Sequence, residues 1–471
     1  MITDFPTPPA PLPEKSGASP LSALARLRHW AGLDRAVSLA VVGRSWSLIS
    51  YPLTLYLIGT RLSALERGFF YSFTSVAGLQ IFLELGFSLS IVQFASHEFA
   101  RLRLAPNGGI EGDPDARSRL VSLGRLALRY YLVMAALFVV IMGSAGHWFF
   151  ATSRDAGGVN WTGPWWTLCL STSLNLAFLP FLALLEGCNQ IVFVNGCRMA
   201  AAMAYGAFLW AALAGGSGLF AAAAASAGMF LVSAMVVAFR WRRFFATFLG
   251  RPSGATISWW REIWPFQWRI GCTAVSGYFI FSLFNPVILR ARGAVESGRM
   301  GMTLQLVNAL ANVCYSWVST KTPRFGMLIS SRRLDELDAL WGRATAQALC
   351  VCGIGSGVIL AGLYGLRTFS SFGNKFLGYD ASLVLLVAAI ISVAQFAQAA
   401  FLRAHKKEPF LLISLVNAAA TSLAVILGAK SGGSVGACLG YALVQAAVLP
   451  FTTAIFLRCR RAWRVEGGKP A

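Results

Sequence analysis

Apolar runs of about twenty residues recur along almost the whole chain, and no polar stretch longer than about 30 residues separates them. Each run is long enough to cross about 30 Å of hydrocarbon as a helix. A soluble chain of 471 residues would instead divide into two or three cores joined by polar linkers. Hydrophobic residues make up 56% and charged residues 13%, about half the charge of a soluble domain. The chain therefore reads as an all-α polytopic membrane protein. The runs place about twelve spans, near 37–59, 68–95, 124–148, 164–186, 190–212, 218–239, 265–288, 299–320, 344–366, 381–403, 409–429 and 434–457.

Loop charge orients these spans. With the N-terminus on the cytoplasmic side, inner segments carry 29 of the 40 Lys and Arg residues and outer loops carry nine. That bias alternates loop by loop, as cytoplasmic retention of basic loops requires, and it predicts both termini inside. The same distribution accounts for the net charge of +21 without nucleic acid, because there is no basic arm or soluble basic domain. Residues 1–20 hold six prolines and read as a disordered tail. They lack the basic start and apolar core of a cleaved signal peptide. Leu21 to Arg35 reads as a basic amphipathic segment on the membrane surface.

The connection from Arg240 to Arg269 splits the spans six and six. It predicts an N-terminal lobe over 21–239, an interfacial linker over 240–264, a C-terminal lobe over 265–457 and a basic cytoplasmic tail over 458–471. Within the Arg240–Arg269 connection Trp260, Trp264 and Trp268 share one helical face, as suits the headgroup region. The first hairpin has an echo at the start of the second half. Pro52 and Glu66-Arg67-Gly68 correspond to Pro286 and Glu296-Ser297-Gly298, and paired bundles of this kind are a common transporter plan.

Enzyme motifs are nearly absent: no phosphate-binding loop, zinc-protease motif or dinucleotide fingerprint is present. Gly432-Gly433-Ser434-Val435-Gly436 matches GxSxG but sits between two spans, without the strand-turn-helix setting of a nucleophile. Nine cysteines without a CxxC pair, and four scattered histidines, point to small buried thiols rather than a metal site. No cofactor is expected, and the chain reads as a non-enzyme.

Ionisable residues inside spans carry the functional signal, since each costs at least about 2.5–3.5 kcal/mol to insert. Arg44 and Glu84 lie about 22–24 Å from the outer ends of neighbouring spans at 1.5 Å per residue. They are either a mutually neutralising pair or the wall of a cationic inner vestibule. Arg198 lies about 12 Å from the inner face, with Glu186 three turns back and no obvious neighbour on its own helix. Gln305, Asn308 and Asn312 line one face of span 8, and Gln395 and Gln398 lie on span 10. Such amides either glue helices or contact a hydroxyl-rich ligand. Arg290 and Arg292 near the outer end of span 7, and Lys321 at the inner end of span 8, are either snorkelling cations or part of a pathway.

Together, Pro52, Glu66-Arg67-Gly68, Glu84-Leu85-Gly86 and the segment Phe401–Phe410 resemble the polysaccharide and O-antigen flippases of the multidrug/oligosaccharidyl-lipid/polysaccharide (MOP) exporter superfamily. The resemblance covers about Ala36 to Arg458. It implies two pseudo-symmetric six-helix lobes around a central cavity and alternating access in a bacterial cytoplasmic membrane. The cargo it implies is a polyprenyl-diphosphate-linked oligosaccharide, moved between leaflets for surface polysaccharide such as lipopolysaccharide or exopolysaccharide. The implied partners are that lipid-linked oligosaccharide, membrane lipids, and a polysaccharide polymerase and glycosyltransferases. A proton or sodium gradient is the open choice of driving force. Two other readings compete: a cation-coupled multidrug exporter of the same superfamily, which calls for an acidic cavity, and an integral-membrane glycosyltransferase or polymerase, which calls for large outer loops.

Overall fold

A computed structural model describes Trp46 and residues 50–105, 108–250, 252–405 and 409–467. The expected tail over 1–20, the surface segment over 21–35, Arg44, Lys406-Lys407-Glu408 and the last four residues lie outside the described residues.

The described residues form a bundle of long helices with one small hairpin of strands. In the first lobe, α1 covers residues 50–61, α2 Ala64–Glu84 and α3 Phe87–Phe99. The strands β1 (Leu102–Leu104) and β2 (Ile110–Gly112) pair antiparallel. Next come α4 (Pro114–Ala151), α5 (Thr162–Gly187), α6 (Ile191–Ala214) and α7 (Phe220–Ala246). In the second lobe, α8 (Trp264–Phe281), α9 (Phe284–Arg292), α10 (Ala294–Ser319), α11 (Thr322–Ser330), α12 (Leu334–Phe369), α13 (Tyr379–Ala404) and α14 (Leu411–Gly467) follow. Among the described residues, seven helices are long and apolar enough to cross a membrane, or nine if each bent pair is one span. The longest, α14, breaks at Gly433 (φ 63°, ψ −142°) into two passes. With α1 and the more polar α10, the passes make a two-lobe, twelve-helix membrane protein.

The first hairpin shows how local chemistry sets the architecture. Ser63 caps α2: its hydroxyl accepts from the Glu66 amide at 3.2 Å, while Glu66 accepts from the Ser63 amide at 2.8 Å. This capping box satisfies two donors at a helix start. Arg67 donates to the carbonyls of Gly59 and Leu62 at 3.2 and 2.8 Å, which α1 leaves without intrahelical partners. Gly68 then lets α2 touch α10, since a Cβ there would stand 2.0 Å from the Ala294 carbonyl oxygen. The echoing glycine completes the approach: a Cβ on Gly298 would stand 3.0 Å from the Gly68 nitrogen. The two matched motifs therefore meet face to face between the lobes.

The internal symmetry extends further. A Cβ on Gly218, between the fifth and sixth passes, would lie 2.9 Å from Glu66 Oε1; one on Gly433, between the eleventh and twelfth, would lie 3.0 Å from Glu296 Oε1. Glu296 also accepts from the Ser434 amide at 2.8 Å, so the GxSxG match is a pinned turn between two passes. At the arginine-rich face, each lobe ties the start of its third pass to the segment after its sixth. In the first lobe Arg119 binds Glu262 at 2.7 Å. In the second, Asp338 binds Arg460 at 2.8 Å and Asp335 binds Arg464 at 3.0 Å.

Candidate functional site: a cavity at the lobe seam

The site is built where α2 and α10 run side by side. From Gly68 onward, α2 carries Tyr71, Ser72 and Ser75 toward the second lobe. Tyr71 donates to Gln305 Oε1 at 2.6 Å, and the hydroxyls of Ser72 and Ser297 lie 3.1 Å apart. Tyr278 and Asn285 donate to the Ser75 carbonyl and hydroxyl at 3.0 and 3.2 Å. Beyond these, Lys375 donates to the Gly59 carbonyl at 2.6 Å and Asp155 accepts from the Ala294 amide at 2.6 Å. Asp155 thus caps α10 from the opposite lobe, a favourable place for a carboxylate. Burial first, and the nearby Arg67 second, pull the Lys375 ammonium below its ordinary value. These bonds close the seam at the hairpin-turn end.

Below this closure lies a cavity of about 510 Å³. Tyr71 and Gln305 form one end and Arg198 the other, with Tyr51, Thr54 and Tyr205 between them. Trp46 also lines it, its ring 5.7 Å from Trp210, which in turn donates to the Thr54 hydroxyl at 2.9 Å. Among the described lining residues Arg198 is the one charged side chain, and none is acidic. The wall is therefore aromatic and hydroxyl-bearing, with a single cation at the arginine-rich end.

The candidate residues separate on this geometry. Arg198 does line the cavity, but it has a partner that its own helix does not supply. The turn at 188–190 folds α6 back on α5 and brings Glu186 within 2.6 Å. The guanidinium keeps about half of its side-chain surface open, so it is a paired yet accessible cation. Gln305 is at the seam, and Asn308 and Asn312 are exposed on the same face of α10. Asn308 borders a narrow pocket of about 30 Å³ beside Tyr315, Ser392 and Tyr441. Lys321 is exposed where α10 turns into α11.

Other candidates act as fasteners. Arg290 donates to the Thr152 carbonyl across the seam, and Arg292 donates to the carbonyls of Ala429 and Lys430 at 3.2 Å each. Gln395 donates to the Gln445 carbonyl at 3.2 Å, and Gln398 to the Thr453 hydroxyl at 2.9 Å, so both join helices inside the second lobe. Glu84 is half-buried and accepts from Ser88 at 2.5 Å, immediately before a break in the second pass. Leu85 (φ 46°) and Gly86 (φ 68°) take left-handed backbone there, and the helices on either side bend by 42°. A left-handed leucine costs about 1–2 kcal/mol, but the break is wedged in place. A Cβ on Gly86 would lie 2.4 Å from Ile270 Cγ2, and Tyr130 donates to the freed Leu83 carbonyl at 2.7 Å. Because Arg44 is outside the described residues, its relation to Glu84 stays an expectation.

Sequence reading passed over Tyr51, Tyr71, Tyr205 and Thr54, because hydroxyl-bearing aromatics and threonine cost little in an apolar run. Their spacing gave one usable signal: Tyr51 and Thr54 are three apart, on one face of the first pass.

Solved transporter structures share this fold over nearly the full chain. Lipid II flippase MurJ in an inward closed conformation matches with a TM-score of 0.62 at 11% identity, covering 91% of this chain and 90% of that one. The MATE multidrug transporter DinF-BH matches at 0.59 and 14%, covering 91% and 96%. An inward-facing multidrug resistance MATE family transporter of the MOP superfamily matches at 0.58 and 12%, covering 88% and 98%. The chain has the fold of a MOP-superfamily transporter. No family model and no curated protein sequence matches it. The neighbours are transporters and flippases rather than enzymes.

Proposed function

We propose that the protein moves a polyprenyl-diphosphate-linked oligosaccharide from the inner to the outer leaflet of a bacterial cytoplasmic membrane by alternating access, in surface polysaccharide biosynthesis. The observation that carries this reading is the cavity wall: aromatic rings, hydroxyls and an amide with Arg198 as its charged group, and no acid among the described lining residues. Flat rings and convergent polar groups suit a sugar, and a half-open guanidinium suits a phosphate oxygen. The seam closed at the hairpin-turn end, with Arg198 at the opposite end, supports a resting state loaded from the arginine-rich side. On the positive-inside rule that side is cytoplasmic, and the sequence expects both termini there. The pathway then runs past Lys321, Asn312 and Asn308 to Gln305, with Glu84 near the inner mouth, where the sequence also expects Arg44. A polysaccharide polymerase and glycosyltransferases are the partners this cargo calls for.

Changing Arg198 or Arg44 to Ala should reduce or abolish surface polysaccharide while membrane abundance stays normal. Normal glycan export by the double variant would sink the cationic-cavity reading. The second reading, multidrug export, draws on the multidrug transporters that share the fold, but the described cavity wall here offers no carboxylate to a cationic drug. Neighbouring glycosyltransferase genes would favour the flippase, and their absence the exporter.

A further inference from the structure

A second cavity, of about 350 Å³, lies away from the seam, where the β1–β2 hairpin meets the last two turns of α7. The hairpin is held by its buried side chains Leu102 and Ile110. One wall is Leu104, Ala105 and Gly108, and the other carries Arg240, Trp241, Arg242 and Arg243. Among the described residues no acidic side chain lines it; the hairpin's Glu111 is paired with Arg103 at 3.5 Å. The Arg240 guanidinium sits 5.3 Å from the centre of the Trp241 ring. Trp241 is only 7% exposed, and its buried Nε1–H meets no acceptor among the described residues.

The depth of the site is set by the length of α7. Its 27 residues span about 40 Å, more than the roughly 30 Å hydrocarbon layer, so its final turns reach the headgroups. Phe239, 83% exposed, lines the site one residue before the arginines and gives it apolar surface toward the acyl region. Arginines that only fix topology need neither a walled cavity nor an indole donor without a partner.

We propose that this cavity holds the phosphate headgroup of an anionic phospholipid drawn from the leaflet at the arginine-rich face. Arg240 and Arg242 supply the charge, and the Trp241 N–H, closed off and without an acceptor in this state, would supply a donor for a phosphate oxygen on a small turn of the indole. The site shares no residue with the seam cavity, so it stands whether or not the cargo reading does.

Native mass spectrometry of the intact purified protein, titrated with phosphatidylglycerol against phosphatidylcholine, tests it. Each arginine near a bilayer surface is worth roughly fivefold in affinity, so Arg240→Gln with Arg242→Gln should weaken phosphatidylglycerol binding by roughly 30-fold. Arg240→Lys with Arg242→Lys should keep most of the affinity, and Trp241→Phe should lower it several-fold at unchanged charge. The control pair Arg324→Gln with Arg343→Gln, exposed on the same face of the other lobe, should change it less than twofold. Should the glutamine pair fail to fold by gel filtration, the lysine pair and Trp241→Phe decide the matter. Equal losses in control and α7 pairs would mean diffuse attraction and overturn the proposal. Unchanged binding by Trp241→Phe, or displacement of the lipid by millimolar inorganic phosphate, would overturn it too.

Discussion

Glu98 has a side chain only 3% exposed, yet it carries a formal charge at the end of the second pass. Arg119 donates to it at 2.8 Å, and Arg101 lies at 3.4 Å, itself 3.3 Å from Asp113. The same Arg119 reaches Glu262 beyond the sixth pass. Removing one member of a buried ion pair typically costs about 3–5 kcal/mol, because the remaining charge is stranded. Arg119→Ala should therefore lower stability by about 3 kcal/mol, at the low end since Arg101 stays beside Glu98; thermal unfolding in detergent would measure it. Burial alone would raise the Glu262 carboxyl, but the Ser258 amide and Arg119 outweigh it and hold it below its usual value of 4.5. A depressed acid contributes stability that is present above its unfolded value and lost as pH falls through its folded one. Protease cutting near Gly254 should therefore stay slow at neutral pH and rise below about pH 4.5, and it should rise at neutral pH in Glu262→Gln.

The element that decides how the lobes meet is the α2–α10 pair. Gly68 and Gly298 bring the two backbones into contact, and overpacking such a contact costs about 1–3 kcal/mol. Cysteines replacing Ser72 and Ser297, whose hydroxyls stand 3.1 Å apart, should form a disulfide readily. Adding Gly68→Val should suppress that crosslink by forcing α2 off Ala294, and the disulfide should arrest transport until it is reduced.

Much at this scale was legible in advance. The hydropathy runs mark the helices because spanning hydrocarbon is a local demand on sequence. The Glu66 and Glu296 motifs mark the symmetry because each caps a turn in its own lobe. The linker's hold on α4 was not legible. The Ser118 and Ser122 hydroxyls each accept from a linker amide, those of Gly254 and Ile257, at 2.9 Å, pairings more than 130 residues apart that no local pattern encodes. The Arg198–Glu186 pair was hidden for a related reason: spacing along one helix says nothing about a partner brought in by a turn. The fastening roles of Arg290, Gln395 and Gln398 likewise depend on tertiary neighbours.

At the scale of the molecule, two lobes are joined by a linker that is bonded to the first. Arg125 donates to the Gly250 carbonyl at 2.9 Å, and Arg119 holds Glu262. The linker is therefore fastened to the first lobe, and a five-residue π-helical turn, Trp259–Ile263, leads from it into α8; in the proposed alternating access this turn should travel with the first lobe. In the proposed alternating access, opening the hairpin-turn end would have to break the bonds of Tyr71, Ser72, Ser75, Lys375 and Asp155 together, which favours two discrete states over a continuum. For the orientation, a cysteine replacing Gly158 should react with an impermeant thiol reagent added outside intact cells, and one replacing Gly109 should not. Reversed labelling would invert the account.

The central claim is most directly tested in proteoliposomes containing a fluorescent polyprenyl-diphosphate oligosaccharide in one leaflet. The purified protein should equilibrate this lipid between leaflets; the Ser72→Cys, Ser297→Cys disulfide should block movement and reductant should restore it. Absence of lipid movement, together with vigorous export of a cationic dye by the same preparation, would contradict the account.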